Sequence, residues 1–274
     1  MKILVTGGTG FLGELLVSKL EDVRVVARNE GKLIALKEKY PHIEIMTGDI
    51  SDPWIAKKAM IDVKGVYHLA AFKHVGLAES DVFQCVSSNI QGSWNILNES
   101  LKTKPEFVIG ISTDKAAQVS GVYGATKLLM ERLFEETERL NPETKYRIVR
   151  YGNVLYSTGS VLTKWREKII KDEEIIVTDT DATRFFWTRE QALQLIDECL
   201  EKATNAKPWV PEMKAMKIGQ LLRAMVLKYN LDYDLTKIKV IGLQPGENMH
   251  ETMDGKVFSS DVEMYTLEEI KDLI

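Results

Sequence analysis

Six short apolar runs punctuate the first half of the chain: KILVTG (2–7), VRVVA (23–27), IEIMTGD (43–49), GVYHLAA (65–71), EFVIGIST (106–113) and YRIVRYG (146–152). They are rich in Val and Ile and show little polar alternation, the pattern of strands buried on both faces of a parallel sheet. Between them lie stretches with helical spacing, among them FLGELLVSKL (11–20), DVFQCVSSNIQGSWNILNESL (81–101) and VYGATKLLMERLFEETERL (122–140). Regular alternation of strand and helix predicts an α/β fold built on a doubly wound parallel sheet. After residue 152 the pattern loosens into helices with isolated strands. Residues 1–152 are therefore expected to form the sheet domain, and 153–274 a smaller C-terminal lobe whose chain is free to cross back to the sheet. Ligands of such sheets bind at the carboxyl ends of the strands, so the segments just after each strand are where chemistry is expected.

TGGTGFLG (6–13) follows the first strand and opens the first helix, with Gly7, Gly10 and Gly13 three apart and Thr9, Phe11 and Leu12 between them. Glycines at this spacing allow a tight turn and close backbone approach to a pyrophosphate, whose charge the helix N-terminus favours. Residues 1–152 are thus expected to be a Rossmann dinucleotide-binding domain. After the second strand, where an NAD site commonly holds an acid for the ribose 2′-hydroxyl, the chain has Arg28 and Asn29. An acid repels a 2′-phosphate and a guanidinium binds it bidentately, so the expected cofactor is NADP. Asp49 and Ile50 follow the third strand, where they can frame the adenine; Ala70 and Ala71 follow the fourth, near the nicotinamide ribose.

Composition narrows the partners. A net charge of -4 with 28% charged residues gives no basic footprint for nucleic acid. No apolar run reaches the roughly 18–20 residues of a membrane span. Cys85 and Cys199 fit no metal or redox spacing, and Met1 leads straight into the first strand. The expectation is a reduced, cytoplasmic protein without metal or signal peptide.

STDKAAQVSGVYGATK (112–127) carries the densest chemistry. Tyr123 and Lys127 are spaced i, i+4 and share a helix face. An ammonium beside a phenol favours the phenolate and lowers its pKa from about 10, so the phenol can deprotonate a sugar hydroxyl while hydride leaves the same carbon. Ser112 or Thr113, at the strand end, can hydrogen-bond that hydroxyl. A second Tyr-x-x-x-Lys, Tyr233 to Lys237, lacks such a context and is read as surface. With the glycine loop, the first set resembles the extended short-chain dehydrogenase/reductase superfamily over most of the chain. Asp114 and Lys115 add a second acid/base pair. A 4-epimerase needs only Tyr, Lys and Ser/Thr, but a 4,6-dehydratase must also remove the C5 proton and protonate the leaving C6 hydroxyl.

STDKA…YGATK closely resembles the UDP-N-acetylglucosamine 4,6-dehydratases of polysaccharide and flagellin-glycan biosynthesis. So do AAFKHVGLAE (70–79), VRYGNVLYSTGSV (149–161), ATRFFWT (182–188) and PGENMHE (245–251). The resemblance implies elimination by Asp114 and Lys115 and oxidation begun by Tyr123 with Lys127 and Thr113. It implies a UDP-sugar held by Lys73, Thr113, Asn153, Val161, Arg184 and Glu247. His250 falls in the same tail motif. It further implies a homo-oligomer and, because Tyr123 stands where membrane-anchored relatives carry Met, the short group that inverts C5. The chain departs from the family pattern at Gln118, Val119, Gly121 and Asn248. A 4-epimerase or 5,6-dehydratase on the same fold and a non-catalytic NADP-binding regulator are the alternatives. For Lys115 to act as a base it must be neutral; burial and Lys127 lower its pKa, Asp114 raises it, and the balance is open at this level.

Overall fold

The computed structural model describes residues 1–274. The first half runs β1 (Lys2–Thr6), α1 (Phe11–Val17), β2 (Val23–Ala27), α2 (Glu30–Lys39), β3 (Glu44–Thr47), α3 (Pro53–Ala59), β4 (Val63–His68), α4 (Val75–Ser80), α5 (Val82–Val86), α6 (Gly92–Thr103), β5 (Phe107–Thr113), α7 (Val122–Leu140) and β6 (Lys145–Tyr151). The second half adds β7 (Asn153–Val154), α8 (Val161–Ile170), β8 (Ile175–Val177), β9 (Thr183–Trp187), α9 (Arg189–Lys202), β10 (Pro208–Trp209), β11 (Ala215–Lys217), α10 (Ile218–Tyr229), β12 (Ile238–Val240) and α11 (Leu267–Leu273).

Seven strands form one all-parallel sheet in the order β10-β6-β5-β4-β1-β2-β3. Both faces are covered, which is why its strands are largely apolar. On one face Leu4, Val66, Val108 and Ile148 pack against Ala56, Ile96 and Phe134 of α3, α6 and α7. On the other, Val5, Val25, Ile109 and Val149 meet Leu16, Leu33, Leu193 and Ile196 of α1, α2 and α9. The strand order reverses between β1 and β4, and a crevice opens there at the carboxyl ends.

Residues 189–209 return to the sheet: α9 covers one face and β10 extends its edge beside β6. The rest of the second half builds its own core from Leu162, Trp165, Ile169, Leu222, Met225 and Ile270. A three-stranded sheet, β11-β9-β7, begins directly after β6. No helix is long and apolar enough to cross a membrane.

Two local devices aim residues at the crevice. Between α5 and α6 the helix widens into a π-type turn, Ser87–Gln91, which carries the fully buried Asn89. Such turns gather at functional sites. The Asn89 side chain accepts from Phe72 N at 2.7 Å and donates to Phe72 O at 3.0 Å and Thr126 Oγ1 at 3.0 Å. It thereby ties the loop after β4 to α7. The second device is Gly124: a Cβ there would lie 2.3 Å from Lys115 O, so only glycine lets α7 pack this closely on the turn that carries Asp114 and Lys115.

Candidate active site

A cleft of about 780 Å³ opens over the carboxyl ends of the central strands. Gly7, Thr9, Gly10, Phe11, Leu12, Gly13, Arg28, Asn29, Asp49, Ile50, Ala70 and Ala71 line it toward the first three helices. Lys73, Asn153, Val161, Arg184 and Glu247 line it toward the second half of the chain, and Thr113, Asp114, Lys115, Tyr123 and Lys127 lie among the same lining residues. Residues chosen from scattered motifs thus share one cavity.

At the glycine loop, Gly7 has φ +70°, and a Cβ on it would lie 2.7 Å from Ala70 N. The loops after β1 and β4 touch there. Ala70 N donates to Thr6 Oγ1 at 3.2 Å, and Thr6 Oγ1 pairs with His68 Nδ1 at 2.8 Å. His68 Nε2 meets Ser93 Oγ at 2.9 Å. Burial, helped by Lys127, pushes His68 down to about 3, so it is a neutral strut beneath the loop. No side chain caps α1 at Gly10, which leaves its N-terminus to a ligand. A dinucleotide pyrophosphate fits this cradle, since a bare backbone and uncapped N–H groups are what it requires.

Arg28 stands at the cleft rim with Nη1 3.6 Å from Asp49 Oδ2, both side chains exposed. Asp49 Oδ1 also accepts from Ser51 N and Oγ. Asn29 caps α2 by accepting from Lys32 N at 2.9 Å, so its side chain already has a structural partner.

The STDKA segment divides in two. Ser112 lines the cleft too, but its Oγ is taken up in donating to Glu131, which also accepts from Arg150 Nε at 2.7 Å. Thr113 is therefore the strand-end hydroxyl of the site. Its Oγ1 donates to Asp114 Oδ1 at 2.7 Å, which also receives Lys115 N at 2.9 Å and Lys115 Nζ at 3.2 Å. Asp114 Oδ2 is buried with no hydrogen-bond partner. Leaving such an atom unpaired costs about 1–3 kcal/mol unless a ligand, ion or water meets it, and this one lies in a residue that lines the cleft.

Protonation corrects one expectation. Burial pushes Tyr123 up to about 12; Lys115 is the ammonium that pulls the other way, not Lys127. Lys127 instead donates to Ile111 O at 2.8 Å, and burial brings it down to about 8 against the pull of Glu131. The balance at Lys115 is also decided: burial lowers it, but Asp114 and Glu251 together outweigh burial and hold it above its usual value. Lys115 is an ammonium at neutral pH.

Glu251 was not singled out from the sequence, although it closes the PGENMHE motif. It is buried, with Oε1 3.4 Å from Lys115 Nζ and 3.7 Å from Arg184 Nε. Arg184 further donates to Thr183 O and Met249 O, so its guanidinium binds this tail as well as facing the cleft. His250 pairs with Thr183 Oγ1 at 2.8 Å and is structural, while Glu247 Oε2 accepts from Gln244 N at 3.1 Å. Lys73 donates to Thr158 O at 2.9 Å across the cleft, and burial lowers its pKa. Asn153 donates to Phe185 O at 3.2 Å. The departure at Gly121 also has an answer: Glu79 Oε1 accepts from Val122 N at 2.7 Å and caps α7 in place of a side chain at 121.

Comparison with known proteins fits this arrangement. A family described as polysaccharide biosynthesis protein matches residues 3–270. The chain belongs to that family. The UDP-N-acetylglucosamine 4,6-dehydratase (inverting) of Campylobacter jejuni serotype O:2 is 33% identical over 92% of this chain and 76% of its own. An uncharacterized membrane protein of Methanocaldococcus jannaschii is 34% identical over 99% of this chain and 84% of its own. A UDP-glucose 4-epimerase of Rickettsia canadensis is 29% identical over 92% of this chain and 76% of its own. Among solved structures, Pen from Bacillus thuringiensis superposes with a TM-score of 0.91 at 29% identity, covering 99% of this chain and 96% of Pen. The fold is that of the extended short-chain dehydrogenase/reductases. The relatives that carry an enzyme name are nucleotide-sugar dehydratases and epimerases.

Proposed function

We propose that the protein is an NADP-dependent UDP-N-acetylglucosamine 4,6-dehydratase, forming a 4-keto-6-deoxy sugar with inversion at C5. One observation carries the reading: buried Asp114 pairs with Lys115 beside Tyr123 on one cleft, with Asp114 Oδ2 left unpartnered. An epimerase has no task for that pair.

In this reading residues 1–152 hold the cofactor and 153–274 the UDP-sugar. Gly7, Gly10 and Gly13 admit the pyrophosphate, and Arg28 meets the 2′-phosphate. A nicotinamide bound here supplies the hydride acceptor at C4 and the donor at C6. Tyr123 takes the proton of the C4 hydroxyl, which Thr113 orients. Burial opposes the phenolate, so the Lys115 charge is what makes its formation affordable in this cavity. With C4 a ketone, the C5 proton is acidic. Asp114 and Lys115 then divide two tasks: one accepts the C5 proton, the other protonates the C6 oxygen as it leaves. Lys73, Asn153, Val161, Arg184 and Glu247 surround the sugar nucleotide. The homo-oligomer belongs to the same proposal; Val82, Phe83 and Val86 of α5 stand exposed as apolar surface.

The test is incubation of the NADP-loaded protein with UDP-N-acetylglucosamine, followed by mass and NMR of the product. Loss of one water with a 6-deoxy methyl signal is expected. A product of unchanged mass, epimeric at C4, would favour the second reading, a 4-epimerase, for which the Rickettsia relative speaks.

A further inference from the structure

We propose that Glu251 is a positioning residue of the proton-transfer group: it shares Lys115 Nζ with Asp114, and its charge governs whether Lys115 is an ammonium or a free amine. This rests on the reading of Asp114 and Lys115 as the elimination pair. Glu251 acts through Lys115 and has no role assigned on the substrate itself.

The geometry is built rather than incidental. Lys115 Nζ lies 3.2 Å from Asp114 Oδ1 and 3.4 Å from Glu251 Oε1. Glu251 Oε1 is buried with no hydrogen-bond partner, so the Lys115 and Arg184 charges are what hold it. Its backbone is clamped on both sides. Glu251 N donates to Ser259 Oγ at 2.9 Å and Ser259 N to Glu251 O at 2.7 Å. Two residues on, Met253 O accepts from Arg150 Nη1 at 2.7 Å. A buried carboxylate so anchored beside a lysine that must change protonation state is placed to control that change.

The charges facing Lys115 come from each element packed on it: Asp114 beside it, Tyr123 on α7, Arg184 on β9 and Glu251 on the tail. Two carboxylates meet two cations. Burial raises the Glu251 carboxyl, Lys115 and Arg184 lower it, Asp114 raises it, and the net direction is up. Asn248 donates to Glu251 Oε2 at 3.4 Å. Asn248 is neutral where the family usually carries Lys, so in this chain Lys115 and Arg184 are the cations against Glu251. Removing the Glu251 charge leaves Lys115 one carboxylate instead of two, and an opposite charge at this range is worth about 1–3 pH units.

The experiment follows the pH dependence of Lys115 carbamoylation by cyanate, read by peptide mass. Cyanate reacts with the free amine, and Lys115 lines the cleft, so the midpoint reports its protonation without any substrate. In Glu251→Gln the midpoint should fall by about 1–3 pH units relative to the parent. In Glu251→Asp, which keeps the charge, it should stay near the parental value. Asn248→Lys leaves Glu251 in place but sets a cation beside it, and should also lower the midpoint; it serves if Glu251→Gln does not fold. An unmoved midpoint in Glu251→Gln, or an equal fall in Glu251→Asp, would overturn the proposal. In the catalytic arm, the limb of the kcat profile belonging to Lys115 should move by the same amount in Glu251→Gln. A parent protein that forms no product from UDP-N-acetylglucosamine would sink the functional reading, while the labelling midpoints would still decide the role of Glu251.

Discussion

Removing the Glu131 carboxylate should unsettle the site from behind. Glu131 sits on α7, buried, and binds the Arg150 guanidinium through Nε at 2.7 Å and also through Nη2. It accepts Ser112 Oγ as well. Glu131→Ala leaves the Arg150 charge buried and unpaired, a change that costs about 3–5 kcal/mol when one partner of a buried pair is lost. For a chain of this size each kcal/mol moves Tm by about 2–4 °C, so the fall should be about 6–20 °C. Replacing both partners, Glu131→Leu with Arg150→Met, should recover most of this, because the penalty comes from the stranded charge rather than from a large net gain of the pair. The double variant also removes the Arg150 donor to Met253 O, so it should keep Tm yet lose activity as the Glu251 segment loosens. Thermal unfolding by circular dichroism, with the turnover of UDP-N-acetylglucosamine measured beside it, reads both effects. A Glu131→Ala protein melting within 2 °C of the parent, given the ~6 °C minimum worked above, would refute the reasoning.

Arg28→Asp should weaken NADP binding far more than NAD binding in fluorescence titrations; equal weakening removes the argument for the 2′-phosphate. Asp114→Asn should abolish the 4-keto-6-deoxy product while a single turnover still shows absorbance in the reduced-nicotinamide band; Lys115→Met should abolish the product and weaken that absorbance as well, because it removes the charge that favours the Tyr123 phenolate. Tyr123→Phe should suppress that absorbance too, and near-normal dehydration by Lys115→Met would make the division of roles wrong. Burial lowers Lys127 from an ordinary 10.5 to about 8, so the fold binds fewer protons than the unfolded chain between those values and its stability rises with pH across that window. Lys127→Met, which has no such penalty, should be favoured over the parent most below pH 8, with the advantage shrinking toward pH 10.5 in denaturant titrations. An advantage that did not vary with pH would contradict a lowered Lys127.

The strands, the glycine loop and the Ser-Thr-Asp-Lys…Tyr-x-x-x-Lys stretch were legible in the sequence because each is local. A parallel strand shows its two-sided burial in consecutive residues, a phosphate loop needs glycines at fixed spacing, and Tyr123 and Lys127 share a helix face by period alone. Proximity across the chain is not written that way. Glu251 reaches Lys115 because β9 and the tail are clamped through Thr183, Ser259 and Arg150; the PGENMHE motif marks the segment but not its partner. Glu79 caps α7 from a different helix, and α9 returns to the sheet although its own pattern says only amphipathic helix. The electrostatics lay further out of reach. The i, i+4 spacing placed Lys127 near Tyr123, but burial of the whole cleft drives Tyr123 upward, and Glu251, far along the chain, joins the adjacent Asp114 in keeping Lys115 charged. Which groups are desolvated, and which charges face them once the chain has folded, is a property of the packed tertiary structure alone.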